Sequence, residues 1–258
     1  MKRSTRRKRL AIGLGAGLIA VFSILVSAWA FGLILHDTSE AASIRQALRD
    51  FRAGQHRNDG LNGVYLYATK GQESIDALGG ASHTYPATTS ITVIEVPCGL
   101  QLHWAALKGR STTWVFCSTP AGTELRVSDE RHSFFGQHDH TTYTCSHRLL
   151  LPKKPVIGSV TAFRCSSQRG WEIGTVNILG WATLDIDGDQ VRALHVSTPL
   201  SIHGGDGGNE TIDWWLAENT ALPLRIALQS RTSRSIFIGT VHYRENFSLS
   251  LLSLKPKR

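Results

Sequence analysis

The sequence has one methionine, Met1, so no Met-rich adaptable surface is available for binding. Its four cysteines, Cys98, Cys117, Cys145 and Cys165, include no C-x-x-C pair, which argues against zinc-ribbon and thioredoxin-like chemistry. No G-x-S-x-G occurs, and the nucleophile elbow of the α/β-hydrolases needs one. Residues 1–36 hold no acidic side chain and six of the 28 Lys+Arg. The rest of the chain therefore carries 22 basic against 20 acidic residues, for all that the whole is +8. A nearly neutral domain has no electrostatic footprint for nucleic acid, and no nucleic-acid partner is expected.

What is present first is a run of twenty-six residues without charge, Leu10 to Leu35, behind Lys2, Arg3, Arg6, Arg7, Lys8 and Arg9. As a helix rising about 1.5 Å per residue it would reach roughly 39 Å, enough to cross a hydrocarbon core of about 30 Å with some tilt. Basic residues on one flank keep that flank cytoplasmic. The expectation is a basic cytoplasmic segment at 1–9, a transmembrane signal anchor at 10–35 and an extracytoplasmic remainder. The competing reading is a secreted chain cleaved near Ala30, after the small-x-small triplet Ala28-Trp29-Ala30. The apolar run continues through Leu35, past the usual signal-peptide core, and favours the anchor. No cysteine lies near Ala30, which excludes a lipid-modified cysteine anchor.

Beyond the span, Ala41, Ile44, Leu48 and Phe51 recur at helical spacing, with N-cap candidates in Asp37-Thr38-Ser39-Glu40. This predicts a juxtamembrane helix over 37–54, its apolar stripe packed on the domain. From Leu61 to Leu254 the pattern turns to strand-length runs separated by turn residues. That predicts one extracytoplasmic, mainly β domain over 61–254, built as a large antiparallel sheet. Residues 71–86 and 201–208 read as connections. Asp187-Gly188 is a two-residue hairpin signal. The cysteines are even in number and expected in an oxidising compartment, so they predict two disulfides. Cys98–Cys117 and Cys145–Cys165 each enclose about one hairpin and are the preferred pairs.

Ile212-Asp213-Trp214-Trp215-Leu216, a short turn and Leu222-Pro223-Leu224-Arg225 resemble a strand pair of the LolA/LppX-like lipoprotein-carrier superfamily. Gly63-Val64-Tyr65 and Asp76-Ala77-Leu78-Gly79-Gly80, with the four cysteines, resemble an uncharacterised group of membrane-anchored bacterial ectodomains. The resemblance implies a strongly curved antiparallel half-barrel with helices across its concave face, a fold that holds lipid or acyl chains. This chain departs from the pattern in having no lipobox and one clear helix.

Several clusters could carry chemistry. Trp104, Trp114, Trp181, Trp214 and Trp215 could line an apolar ligand groove, although adjacent Trp214 and Trp215 must face opposite ways in a strand. His132, His138 and His140 are weak metal-ligand candidates; solvated histidines are the plainer reading, and no metal or other cofactor is expected. Asp185, Asp187 and Asp189 resemble half a calcium loop but lack its glycine and glutamate positions, so a turn explains them. His203-Gly204-Gly205 suggests an oxyanion loop without the serine it would serve. No nucleophile–base–orienter set is visible, so no enzyme is expected. The expected function is a membrane-anchored domain that binds an apolar or lipid ligand or an envelope partner. A scaffolding ectodomain is the first alternative, a metal-binding or hydrolytic envelope enzyme the second.

Overall fold

The computed structural model describes residues 39–54, 56, 59–236 and 239–258. The basic segment 1–9, the span Leu10–Leu35 and the cleavage site near Ala30 lie outside the described residues. Among the described residues no helix is long and apolar enough to cross a membrane.

The only α-helix described, α1, runs Ile44–Ala53. It begins later than the N-cap candidates suggested. Ala41 forms an isolated antiparallel bridge with Leu107, and Ala42 N–H donates to Ala106 O, so this stretch is held extended. Ser43 then caps the helix, its hydroxyl accepting from Gln46 N–H. Phe51 is buried, which seats the helix on the domain.

Fourteen antiparallel strands follow among the described residues. The first half comprises β1 Gly63–Ile75, β2 Ala81–Thr84, β3 Thr88–Val96, β4 Gly99–Leu107, β5 Arg110–Thr119, β6 Gly122–Phe134 and β7 Gln137–Ser146. The second comprises β8 Leu149–Pro152, β9 Val160–Ser166, β10 Gly170–Ile186, β11 Asp189–Gly204, β12 Gly207–Ala217, β13 Pro223–Ile236 and β14 Gly239–Leu251. Two expected connections are therefore largely strand. β1 runs on to Ile75 because its inward positions simply turn polar (Thr69, Gly71, Glu73), which erases the apolar alternation without ending the ladder. β11 and β12 likewise leave only Gly205 and Asp206 between them.

The half-barrel expectation needs correction. Each strand pairs with its neighbours along β3-β4-β5-β6-β7-β9-β10-β11-β12-β13-β14, and β1 joins both ends, β3 over Gly63–Ala68 and β14 over Tyr67–Ile75. The hydrogen-bonding path is closed. Closure removes the open edges that a half-barrel would have to protect. α1 lies against β1 and β3 on the outside, and no helix crosses an inner face among the described residues.

Inward positions alternate along every strand and divide the interior along its axis. One end is apolar: Tyr65, Leu102, Phe116, Leu125, Leu194, Leu216, Leu224 and Leu251. The middle is aromatic, with Trp114 edge-on to Trp214 at 5.3 Å and Trp104 against Phe247 at 4.5 Å. The other end is polar, with Glu73, Arg110, Glu172, Glu210, Ser230 and Glu245 all buried. The disulfides join Cys98 to Cys117 and Cys145 to Cys165. Asp187 and Gly188 form the β10–β11 hairpin turn, both with positive φ (57° and 89°), and Asp185 accepts from Gly188 N–H. That turn, rather than a calcium loop, uses the acids.

Candidate functional site

The polar end is an ionised core. Glu73 and Glu245 are direct cross-strand partners on β1 and β14, both pointing inward, and two bare carboxylates there would repel. Each has its own counter-groups. Arg110 grips Glu245 with Nε and Nη2, both at 2.9 Å, and Tyr85 donates its hydroxyl to the same carboxylate. Glu73 receives His83 Nδ1 at 3.0 Å on one oxygen, and Tyr243 Oη at 3.0 Å with His132 Nδ1 at 3.4 Å on the other. Burial pushes the Glu73 carboxyl up, but hydrogen bonding and charge from His132, with His83 and Arg110, hold it below the usual range. Burial lowers His132 as well, yet Glu130 and Glu73 raise it overall.

A second group sits beside the first. Arg148, 1% exposed, lies over the Phe163 ring, reaches Thr198 Oγ1 at 3.3 Å and stops 3.8 Å from Glu172. That pair is too long to offset burial, so Arg148 is pushed down and Glu172 up to about 7. Glu210 is raised by burial and by Glu130 and Glu172.

These shifts have a sign in stability. A carboxyl raised by folding contributes stability below its unfolded value, near 4.5, and loses it as pH climbs through about 7. His132, also raised, loses its contribution in the same direction. Urea unfolding of the oxidised domain is expected to give falling stability from pH 5 to pH 8. Glu172→Gln should make the fall shallower by on the order of 3 kcal/mol, the equivalent of the shift from 4.5 to about 7. An unchanged slope in the variant would contradict a buried, poorly paired Glu172.

The predicted residues divide by face. Trp104, Trp114 and Trp214 are 0–1% exposed and fill the interior. At these positions they are core, not the rim of an open groove. Trp215 is on the outside, stacked between His195 (4.0 Å) and Arg225 (4.8 Å); Trp181 is opposite inward Leu194, packs partly buried against the core and lies under Arg192. Trp214 and Trp215 do face opposite ways. The histidine trio does not converge: His132 points inward to Glu73, while His140 on the outer face pairs with Asp129 at 2.6 Å and His138 is exposed. One residue of separation parity decides it. Among the described residues no group of three or more His, Cys, Asp or Glu is placed to hold a metal. His203 stacks on Trp171, and Gly205 N–H is bound to Arg169 O.

Two outer features were not visible in the sequence. A groove of about 900 Å³ lies between α1 and the outer sheet, lined by Ala47, Phe51, Thr92, His103, Arg131 and His140 among others. The second feature is the seam between β7 and β9. The ring is joined there by three residue pairs, Thr144↔Ser166, Cys145↔Cys165 and Ser146↔Arg164, whereas β10 and β11 share fourteen. β8 continues the β7 line along β6 but forms no ladder with β9, leaving one edge of β9 unpaired over 160–163. Thr161 shares its face with buried Phe163 and Cys165 yet is itself exposed, so the wall is open at that level. Six of the eight exposed large apolar side chains among the described residues lie on the loop before β9, on β9 or on β10: Val156, Ile157, Val160, Trp171, Ile173 and Leu179. The expected period-2 alternation could not reveal the whole set, because residues 156 and 157 belong to no strand and Leu179 sits at a bulge in β10.

No family model and no curated protein matches the chain. Among solved structures it is similar to two hypothetical lipoproteins. YmcC from Escherichia coli (K12) has 13% identity and a TM-score of 0.34, over 80% of this chain and 98% of that one. A protein from Parabacteroides distasonis has 10% identity and a TM-score of 0.29, over 74% of this chain and 94% of that one. Likenesses this distant carry no weight for fold or function.

Proposed function

We propose that this chain is a non-catalytic, extracytoplasmic β domain, held at a membrane by Leu10–Leu35, that docks an envelope polypeptide on the outer face of β8, β9 and β10. The carrying observation is the concentration of Val156, Ile157, Val160, Ile173 and Leu179 on one surface, at 46–66% exposure. Contiguous exposed apolar surface on a soluble face is costly to leave uncovered and marks interaction sites. Two disulfides fit an oxidising compartment. The interior supports a surface partner over an acyl ligand, since three tryptophans occupy the space a chain would need.

The test is site-specific photo-cross-linking in the native membrane, with the reactive residue at Val156 or Val160 and, as control, at exposed Thr183 on β10. A discrete polypeptide adduct from the first two and none from Thr183 is expected. Adducts from neither patch position, or the same adducts from all three, would end the proposal. Val156→Ser with Ile157→Ser should remove the adduct while changing stability by less than about 0.5 kcal/mol, because neither side chain is buried. Thermal unfolding checks the second half of that statement.

A further inference from the structure

The open edge of β9 specifies more than an apolar partner. Ile178 N–H donates to Ser159 O at 3.0 Å, which fixes the phase of the β9–β10 ladder. Antiparallel pairing alternates, so Thr161 and Phe163 direct their backbone groups to β10, and Val160 and Ala162 direct theirs away. Further along, Arg164 and Ser166 use the same direction to meet β7. No ladder or other hydrogen bond takes the backbone of Val160 or Ala162 on that side among the described residues. Two N–H and two C=O groups, spaced as a strand spaces them, therefore face outward next to exposed Val156, Ile157 and Val160.

Charge narrows the choice of strand. Lys153 and Lys154, exposed in the loop before β9, and exposed Arg164 on it have no carboxylate within ion-pair distance among the described residues. Glu218, which lines a pocket with Lys153, is committed to Arg192, and Glu172 on β10 is committed to the interior. Lysines and the prolines Pro152 and Pro155 beside an edge also oppose pairing with a second copy of the same edge.

Resting on the docking reading above, we propose that the occupant is an extended acidic segment of a partner polypeptide, added as a strand to β9 at Val160 and Ala162. Its inward side chains are apolar and enter the gap between β8 and β9; its outward carboxylates meet Arg164, Lys153 and Lys154. Strand addition of this kind takes affinity from the backbone and selectivity from alternate side chains.

The probe is a fluorescent nine-residue peptide alternating valine with glutamate, measured by anisotropy against the purified full chain in detergent, with a valine–lysine peptide as comparison. The glutamate peptide is expected to bind at least about tenfold tighter. Ala162→Pro removes an N–H that the native ladder does not use, so the fold should persist while binding falls about tenfold or more. Independently of any variant, the Ala162 amide should exchange more slowly when peptide is added. Binding that survives Ala162→Pro without slowed Ala162 exchange overturns strand addition; if Val156→Ser with Ile157→Ser still abolishes it, the docking surface stands. Failure of both peptides to bind, or preference for the lysine peptide, overturns the acidic-strand proposal. Self-association of the chain that Ala162→Pro abolishes would make a second copy the occupant and overturn it equally.

Discussion

Replacing Cys145 and Cys165 together by alanine is expected to lower the unfolding free energy by about 3 kcal/mol and to raise amide exchange along both β7 and β9. The energy follows from the loop: the bridge closes a separation of 20 residues, and its loss returns that freedom to the unfolded chain. The exchange follows from where the bridge lies. Cys145↔Cys165 is the central one of three residue pairs that join the ring between β7 and β9. Cys98–Cys117 encloses a nearly equal loop of 19 but links strands already paired from Gly99 to Leu107. Its removal should cost a similar free energy while exchange rises only near the β3–β4 turn. Equal and local changes in both variants would show that the seam does not depend on its disulfide. Urea unfolding and exchange read by mass spectrometry supply the two measurements.

Arg110→Met is expected to cost about 3–5 kcal/mol, the largest effect of any single polar substitution in the domain. Arg110 is 2% exposed and holds Glu245 through two hydrogen bonds, with Thr112 Oγ1 at 2.6 Å and Ser111 O at 2.8 Å taking Nη1. Without it, the Glu245 carboxylate remains buried opposite Glu73, with Tyr85 as its one strong partner. Glu245→Leu in the same chain removes the stranded charge and should restore most of the loss. About 1 kcal/mol stays missing, because the Tyr85 hydroxyl then lacks its acceptor. Stability by urea unfolding at pH 7 would contradict this if the double variant lost as much as the two single variants summed.

Local features were legible in the sequence, and non-local ones were not. Asp187-Gly188 announces its turn because only residues tolerant of positive φ fit there, and the structure has both at positive φ. The cysteine pairs are legible because each encloses a span about the size of one hairpin. That Trp214 and Trp215 face apart follows from strand parity alone. Closure of the sheet by β1 and β14 left no mark, since it joins residues about 180 positions apart through backbone groups that every sequence carries. The polar interior misled more actively. Glu73, Glu130, Glu172, Glu210 and Glu245 fall at inward positions where a period-2 reading expects apolar residues, and at Glu73 this makes the end of β1 read as a connection. Whether the histidine trio converges is not legible, because sequence distance hides which face each residue takes. The tryptophans looked like a groove because burial cannot be read from residue type.

The central claim is that the barrel wall is open at β9 and that this opening is where a partner meets the domain. Residue-resolved amide exchange from Val160 to Ser166 in the oxidised chain tests it most directly. Fast exchange at Val160 and Ala162, beside slow exchange at Thr161, Phe163, Arg164 and Ser166, is the expected pattern. Uniformly slow exchange across all of them would mean that the seam is closed and that β9 has no edge to offer.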